Sequence, residues 1–131
     1  MSDAGQMFTA KWQETAHRKD VPGLLALLAP DARLISPIVF KPIVDRRYIG
    51  GIFAAIMKVL PDFSYSRCEV FPGGALMIFE GSLGDMRLEG LDLFTLNDAG
   101  FATELKVFVR PLKAAMEFAA RMQAHIAAMP S

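Results

Sequence analysis

Asp92 is the residue of this sequence whose surroundings give it chemistry. Along Met86 to Leu96 the side chains alternate, so that Met86, Leu88, Gly90, Asp92, Phe94 and Leu96 share one face, with Arg87, Glu89, Leu91, Leu93 and Thr95 on the other. The first face holds one charge. After the turn residues Asn97-Asp98-Ala99-Gly100 the alternation resumes as Phe101, Thr103, Leu105, Val107 and Val109. If the two apolar faces line one concavity, Asp92 is a lone carboxyl in hydrocarbon. Desolvation then disfavours its charged form and raises its pKa, which leaves a neutral acid able to donate a hydrogen bond. The alternative is a strand aspartate tied to a nearby backbone group.

Other residue types offer less. The two histidines, His17 and His125, lie far apart in the chain; His17 reads as a helix-end cation and His125 as an ordinary residue of the last helix. The single cysteine, Cys68, excludes an intrachain disulfide and a cysteine-built metal site, and agrees with a reducing compartment. The sequence calls for no metal and no cofactor. Glu80 has apolar neighbours on both faces of its strand and is a reserve acid or base. Tyr48, in the first turn of a helix, suits an exposed amphipathic position, and Arg110 alternates away from Val109 toward a salt bridge.

A chain of 131 residues fits a single domain, here a core over about residues 8–110 followed by a helix over about 111–128. Fourteen basic residues balance fourteen acidic ones, and no basic run exceeds His17-Arg18-Lys19, so an electrostatic footprint for nucleic acid is missing. The opening MSDAGQMFTAKW lacks the pattern of a signal peptide, and the longest apolar run, Gly50 to Met57, is too short to span a bilayer. The expectation is a cytoplasmic chain with neither nucleic acid nor membrane as partner. Hydrophobic residues make up 53% of the chain, above the usual figure of about 45–50%. A large core, or apolar surface covered by a partner, accounts for such an excess.

Around Asp92 the remaining elements follow in order. Phe8, Trp12 and Thr15 at helical spacing predict a helix over 5–18, and Asp20 caps a second, nearly all-apolar helix that Pro30 stops. Ala32 to Ile38 reads as a strand that ends, or lies at an edge, because of Pro37. Asp45 caps a third helix with Ile49, Ile52, Phe53, Ile56 and Leu60 on one face, where Gly50-Gly51 suits close packing or ligand access. Strands over 63–71 and 75–83 precede the two already described, and a last helix carries the stripe Leu112, Ala115, Met116, Ala119, Met122 and Ile126, with Lys113, Glu117, Arg121 and Gln123 on its polar side. Helices around one strand, then a four-strand meander, then a helix make an α+β fold.

Two stretches, KWQETAHRKDVPGLLALLAPDARLISP and LDLFTLNDAGFATELKVFV, carry a resemblance. The first resembles the helix, helix, first-strand entry of ketosteroid isomerase, the second its last hairpin. The chain over about 8–110 is thereby similar to the nuclear transport factor 2-like fold that also includes the SnoaL-like polyketide cyclases. The phrase VFVRPL is similar to SnoaL-like proteins with a helix after the final strand. The resemblance implies a cone-shaped curved antiparallel sheet wrapped around the N-terminal helices. It places Asp92 on the family's oxyanion-hole acid, a neutral carboxylic acid in that isomerase. It places Trp12 where the family has a tyrosine and Ser36 where it has the proton-shuttling aspartate. Indole donates one hydrogen bond but has no hydroxyl, and a serine without an activating partner is no base near neutral pH. The base and the tyrosine of steroid isomerisation are therefore both replaced.

The expected site is a closed apolar pocket lined by Trp12, Leu34, Ser36, Ile52, Phe53, Ile56, Leu88, Phe94, Leu105 and Val109, with Asp92 as its chemical handle. It suits a small hydrophobic carbonyl or aromatic compound, and isomerisation, cyclisation or dehydration in which Asp92 polarises a carbonyl oxygen. The alternative is a non-catalytic ligand-binding or protein-association module. On the outer face of the last two strands, Leu91, Leu93 and Phe108 among Arg87, Glu89, Glu104 and Lys106 predict a homodimer through that surface.

Overall fold

Two of the helices start at side-chain caps that the sequence supplies. The computed structural model describes residues 3–129. Helix α1 (Asp3–His17) ends in a left-handed Lys19, φ 57°, with the Lys19 N–H on the Ala16 carbonyl at 3.0 Å and the Asp20 N–H on that of Thr15 at 3.1 Å. Asp20 then caps α2 (Val21–Ala26), its Oδ1 accepting from the Gly23 N–H at 3.0 Å. Asp45 caps α3 (Arg46–Val59) by accepting from the N–H groups of Arg47 and Tyr48. The paired glycines of α3 serve packing. A Cβ on Gly50 would meet Leu25 at 3.0 Å, and one on Gly51 would meet the Met129 sulfur, past the end of α4 (Leu112–Ala127), at 2.6 Å.

The strands β1 (Leu28–Ile35), β2 (Ser64–Phe71), β3 (Gly74–Leu83), β4 (Met86–Leu96) and β5 (Ala102–Arg110) form one sheet in the order β1-β5-β4-β3-β2. β1 runs parallel to β5 and the rest pair antiparallel. The sheet is curved and open, with β1 and β2 as its edges. Its concave side faces α1, α3 and α4, and the core lies between them, with Trp12 and Phe94 ring centroids 4.9 Å apart and Trp12 and Phe53 5.8 Å apart. Among the described residues, no helix is long and apolar enough to cross a membrane.

Three expectations need correction. The first strand begins at Leu28 and ends at Ile35, not at 32 and 38. It runs through Pro30, whose missing N–H is tolerated because the strand is an edge and its ladder to β5 is irregular between Leu28 and Arg33. In β5, Phe101 and Thr103 do not continue the inner face. Thr95 pairs with Glu104 but Leu96 with Ala102, so Thr103 is an extra residue, Ala102 turns inward and Phe101 outward. In α4 the buried residues are Ala114, Phe118 and Met122, while Leu112 and Met116 are exposed. Apolar residues surround that helix on more than one side, and the bulk of Phe118 decides which side docks.

Candidate functional site

β4 brings Asp92 to the concave face, between Met77 of β3 and Val107 of β5 in the ladder. Only 6% of the residue is exposed. Its neighbours on that face are apolar, and burial pushes its carboxyl up to about 7 against a partial pull downward from one hydrogen bond. That bond comes from Tyr65 of β2, whose hydroxyl donates to Asp92 Oδ2 at 2.9 Å. The Tyr65 oxygen accepts in turn from Trp12 Nε1–H of α1 at 2.8 Å. Burial first, and then the nearby Asp92 charge, push the Tyr65 phenol well above its usual range, so it stays a donor.

Aromatic packing holds the three residues in line. The Trp12 ring is edge-on to both Phe53 and Phe94 and stacked on Phe8 at 5.7 Å, while the Tyr65 ring stands edge-on to Phe63 at 5.0 Å. In front of the carboxyl lies a cavity of about 300 Å³. Its buried floor includes Trp12, Leu34, Ile52, Phe53, Phe79, Asp92 and Leu105, with Phe118 and Met122 of α4 closing one side. Exposed lining residues, among them Lys19, Val39, Tyr48 and Gln123, form a mouth, so the cavity is open and not the closed pocket expected.

Of the residues expected to line a pocket, Trp12, Leu34, Ser36, Ile52, Phe53, Ile56 and Leu105 meet around this cavity with Asp92. Leu88, Phe94 and Val109 do not. Leu88 and Phe94 are buried in the core, Phe94 edge-on to Phe8 and Trp12, and Val109 is half-buried beyond the cavity. The Ser36 hydroxyl oxygen accepts from the Ile38 N–H at 2.9 Å, a turn contact within the loop after β1. Glu80 and Arg110 are on the convex face, where Glu80 pairs with Arg87 at 3.1 Å and Arg110 with Glu89 at 2.9 Å. Neither histidine reaches the cavity.

Tyr65 is the residue that sequence reasoning missed. Its parity with Phe63 is a signal for an inward position, but Arg67 shares that parity and points to solvent. An extra residue, Ser66, resolves the conflict: Tyr65 pairs with inward Phe79 and Arg67 with outward Ile78.

No family model matches the chain, and no curated protein matches it. Solved structures do. A steroid delta-isomerase from Pseudomonas aeruginosa superposes with a TM-score of 0.89 at 26% identity, covering 97% of this chain and 94% of that one. A putative ketosteroid isomerase from Kribbella flavida gives a TM-score of 0.68 at 21% identity over 84% and 80% of the two chains. A SnoaL-like protein of unknown function from Burkholderia thailandensis gives 0.71 at 12% identity over 85% and 99%. The last two are likenesses of fold alone.

Proposed function

We propose, from the premise that the chain belongs to the nuclear transport factor 2-like, SnoaL-like superfamily, that its cavity binds a small hydrophobic carbonyl or aromatic compound. Asp92 is then the group that meets the ligand's oxygen. The observation that carries this is one buried carboxyl, pushed up to about 7, on the floor of a cavity lined mostly by apolar side chains. In its neutral form Asp92 donates to a carbonyl oxygen and stabilises the charge that develops there during enolisation, isomerisation, cyclisation or dehydration.

The test is a panel of cyclic ketones, scored by the rise in melting temperature and by exchange of α protons with solvent deuterium. Binding with exchange that Asp92→Asn abolishes, at unchanged fold, supports catalysis. Binding without exchange supports a second reading, a non-catalytic carrier. One observation favours that second reading: among the described lining residues Asp92 is the only carboxylate, and Ser36 carries no base beside it. A panel with no thermal shift at all would remove both.

The convex sheet face is proposed as a homodimer surface. Phe108 is 51% exposed there, next to half-buried Leu91 and Ile78. A sedimentation profile of monomer alone at micromolar concentration would contradict it.

A further inference from the structure

The hydrogen-bond chain behind Asp92 has a fixed direction. An indole nitrogen donates and cannot accept, so the contact of Trp12 Nε1 with the Tyr65 oxygen at 2.8 Å can run only from tryptophan to tyrosine. Trp12 offers Tyr65 no acceptor, so the single Tyr65 proton goes to Asp92 Oδ2 at 2.9 Å. A tyrosine or serine in place of Trp12 would permit the opposite direction, with Asp92 donating to Tyr65. Tryptophan cannot take the Tyr65 proton, so among the described residues Asp92 Oδ2 is the only acceptor left for it.

We infer that Trp12 and Tyr65 are positioning residues that keep Asp92 Oδ2 a permanent acceptor and make Oδ1 the one atom at which this site gives or takes a proton. Among the described residues, Tyr65 is the only hydrogen-bond partner of the Asp92 side chain, which leaves Oδ1 to a ligand. The inference rests on the reading of the cavity as a ligand site. The strands beside Asp92 offer no competing charge, since Met77 and Val107 flank it. Of the other titratable groups, Cys68 lies near Tyr65 on β2, and Lys19 and Tyr48 are exposed at the cavity mouth.

A ligand preference follows. With Oδ1 protonated, the site presents one donor and selects a ligand acceptor, such as a ketone oxygen. With Oδ1 bare, it presents one acceptor and selects a ligand donor, such as a phenol. A ketone and a phenol of similar size should therefore exchange rank as pH crosses the midpoint of Asp92, and the Oδ2 side plays no part in the exchange.

Trp12 is the only tryptophan in the chain, so its indole N–H is an unambiguous NMR reporter. The experiment follows that signal and the Asp92 carboxyl carbon across pH in the unaltered protein, in Tyr65→Phe and in Trp12→Phe. The expected result is one shared midpoint for both signals in the unaltered protein. In Tyr65→Phe, which keeps the ring packing, the Asp92 midpoint rises by roughly half a unit or more because a donor to the carboxylate is gone. The indole signal there stops titrating. In Trp12→Phe the midpoint moves the same way by less. An indole signal that stays flat while Asp92 titrates, or an Asp92 midpoint unmoved in Tyr65→Phe, overturns the inference. Cyclohexanone and phenol are then added on either side of the midpoint. Coupled titration with no shift from either compound upholds the positioning role and removes the cavity's ligand reading; binding without rank exchange overturns the assignment of Oδ1.

Discussion

On its concave face the sheet carries Met77, Phe79, Leu88, Phe94 and Leu105, all buried, around a single carboxyl. On its convex face it carries Leu76, Ile78, Leu91, Leu93 and Phe108 between the ion pairs Arg87–Glu80, Arg110–Glu89 and Arg33–Glu104. Both faces mix apolar and acidic residues, and they differ in what covers them. Helices bury most of the first, where an acid is altered in kind. The second keeps its charges paired at the surface, where they act through solvent. Coverage, more than composition, makes Asp92 a chemical group.

Truncation should separate the faces most sharply. Phe94→Ala leaves a void between Phe8 and Trp12 and should cost about 3–5 kcal/mol in urea unfolding. If it costs no more than a convex-face substitution, the distinction fails.

Acidity should separate them next. The folded Asp92 carboxyl is raised to about 7, against about 3.9 for an unfolded aspartate. Between these values the native state holds more protons than the unfolded chain, so stability falls as pH rises through the window. The loss is on the order of 4 kcal/mol, complete above about pH 7. Below about pH 4 both states are protonated and the term vanishes. Asp92→Asn should flatten this decline in thermal melts taken from pH 4.5 to 8. A decline of the same size in the variant would assign it elsewhere.

On the convex side the effects shrink. Phe108→Ala should change monomer stability by under about 0.5 kcal/mol and act instead on association, read by sedimentation. The Arg110–Glu89 pair, 2.9 Å apart with Arg110 mostly exposed, should be comparably weak. A double-mutant cycle should return about 0.2–1 kcal/mol, vanishing near 1 M salt. A larger coupling would mean that something already covers this face.

The same contrast governs what could be read from sequence. β4 was legible from end to end because one side of it is buried and the other wet, so its alternation is complete from Met86 to Leu96. Asp92 inherits its position from that pattern. Bulges hide the rest: one residue added at Ser66 reverses the parity that would have revealed Tyr65, and another at Thr103 turns Phe101 outward. α4 was legible as a helix but not in its facing, since several of its sides are apolar and tertiary packing chose among them. The departures Trp12 and Ser36 were visible as residue types. What Trp12 does instead depended on a partner 53 positions away in the chain, which no local pattern supplies.

Gly90 pairs with Phe79 across the ladder, and a Cβ there would overlap the Phe79 ring. For a lineage of such sequences, neither position is free to vary alone: enlarging residue 90 evicts the ring, and shrinking residue 79 opens a hole two positions from Asp92. The pair should change together or not at all, so that a related sequence with a larger residue at 90 carries a smaller one at 79. The sum of their volumes is the inherited quantity, and through it the dryness of the acid is passed on.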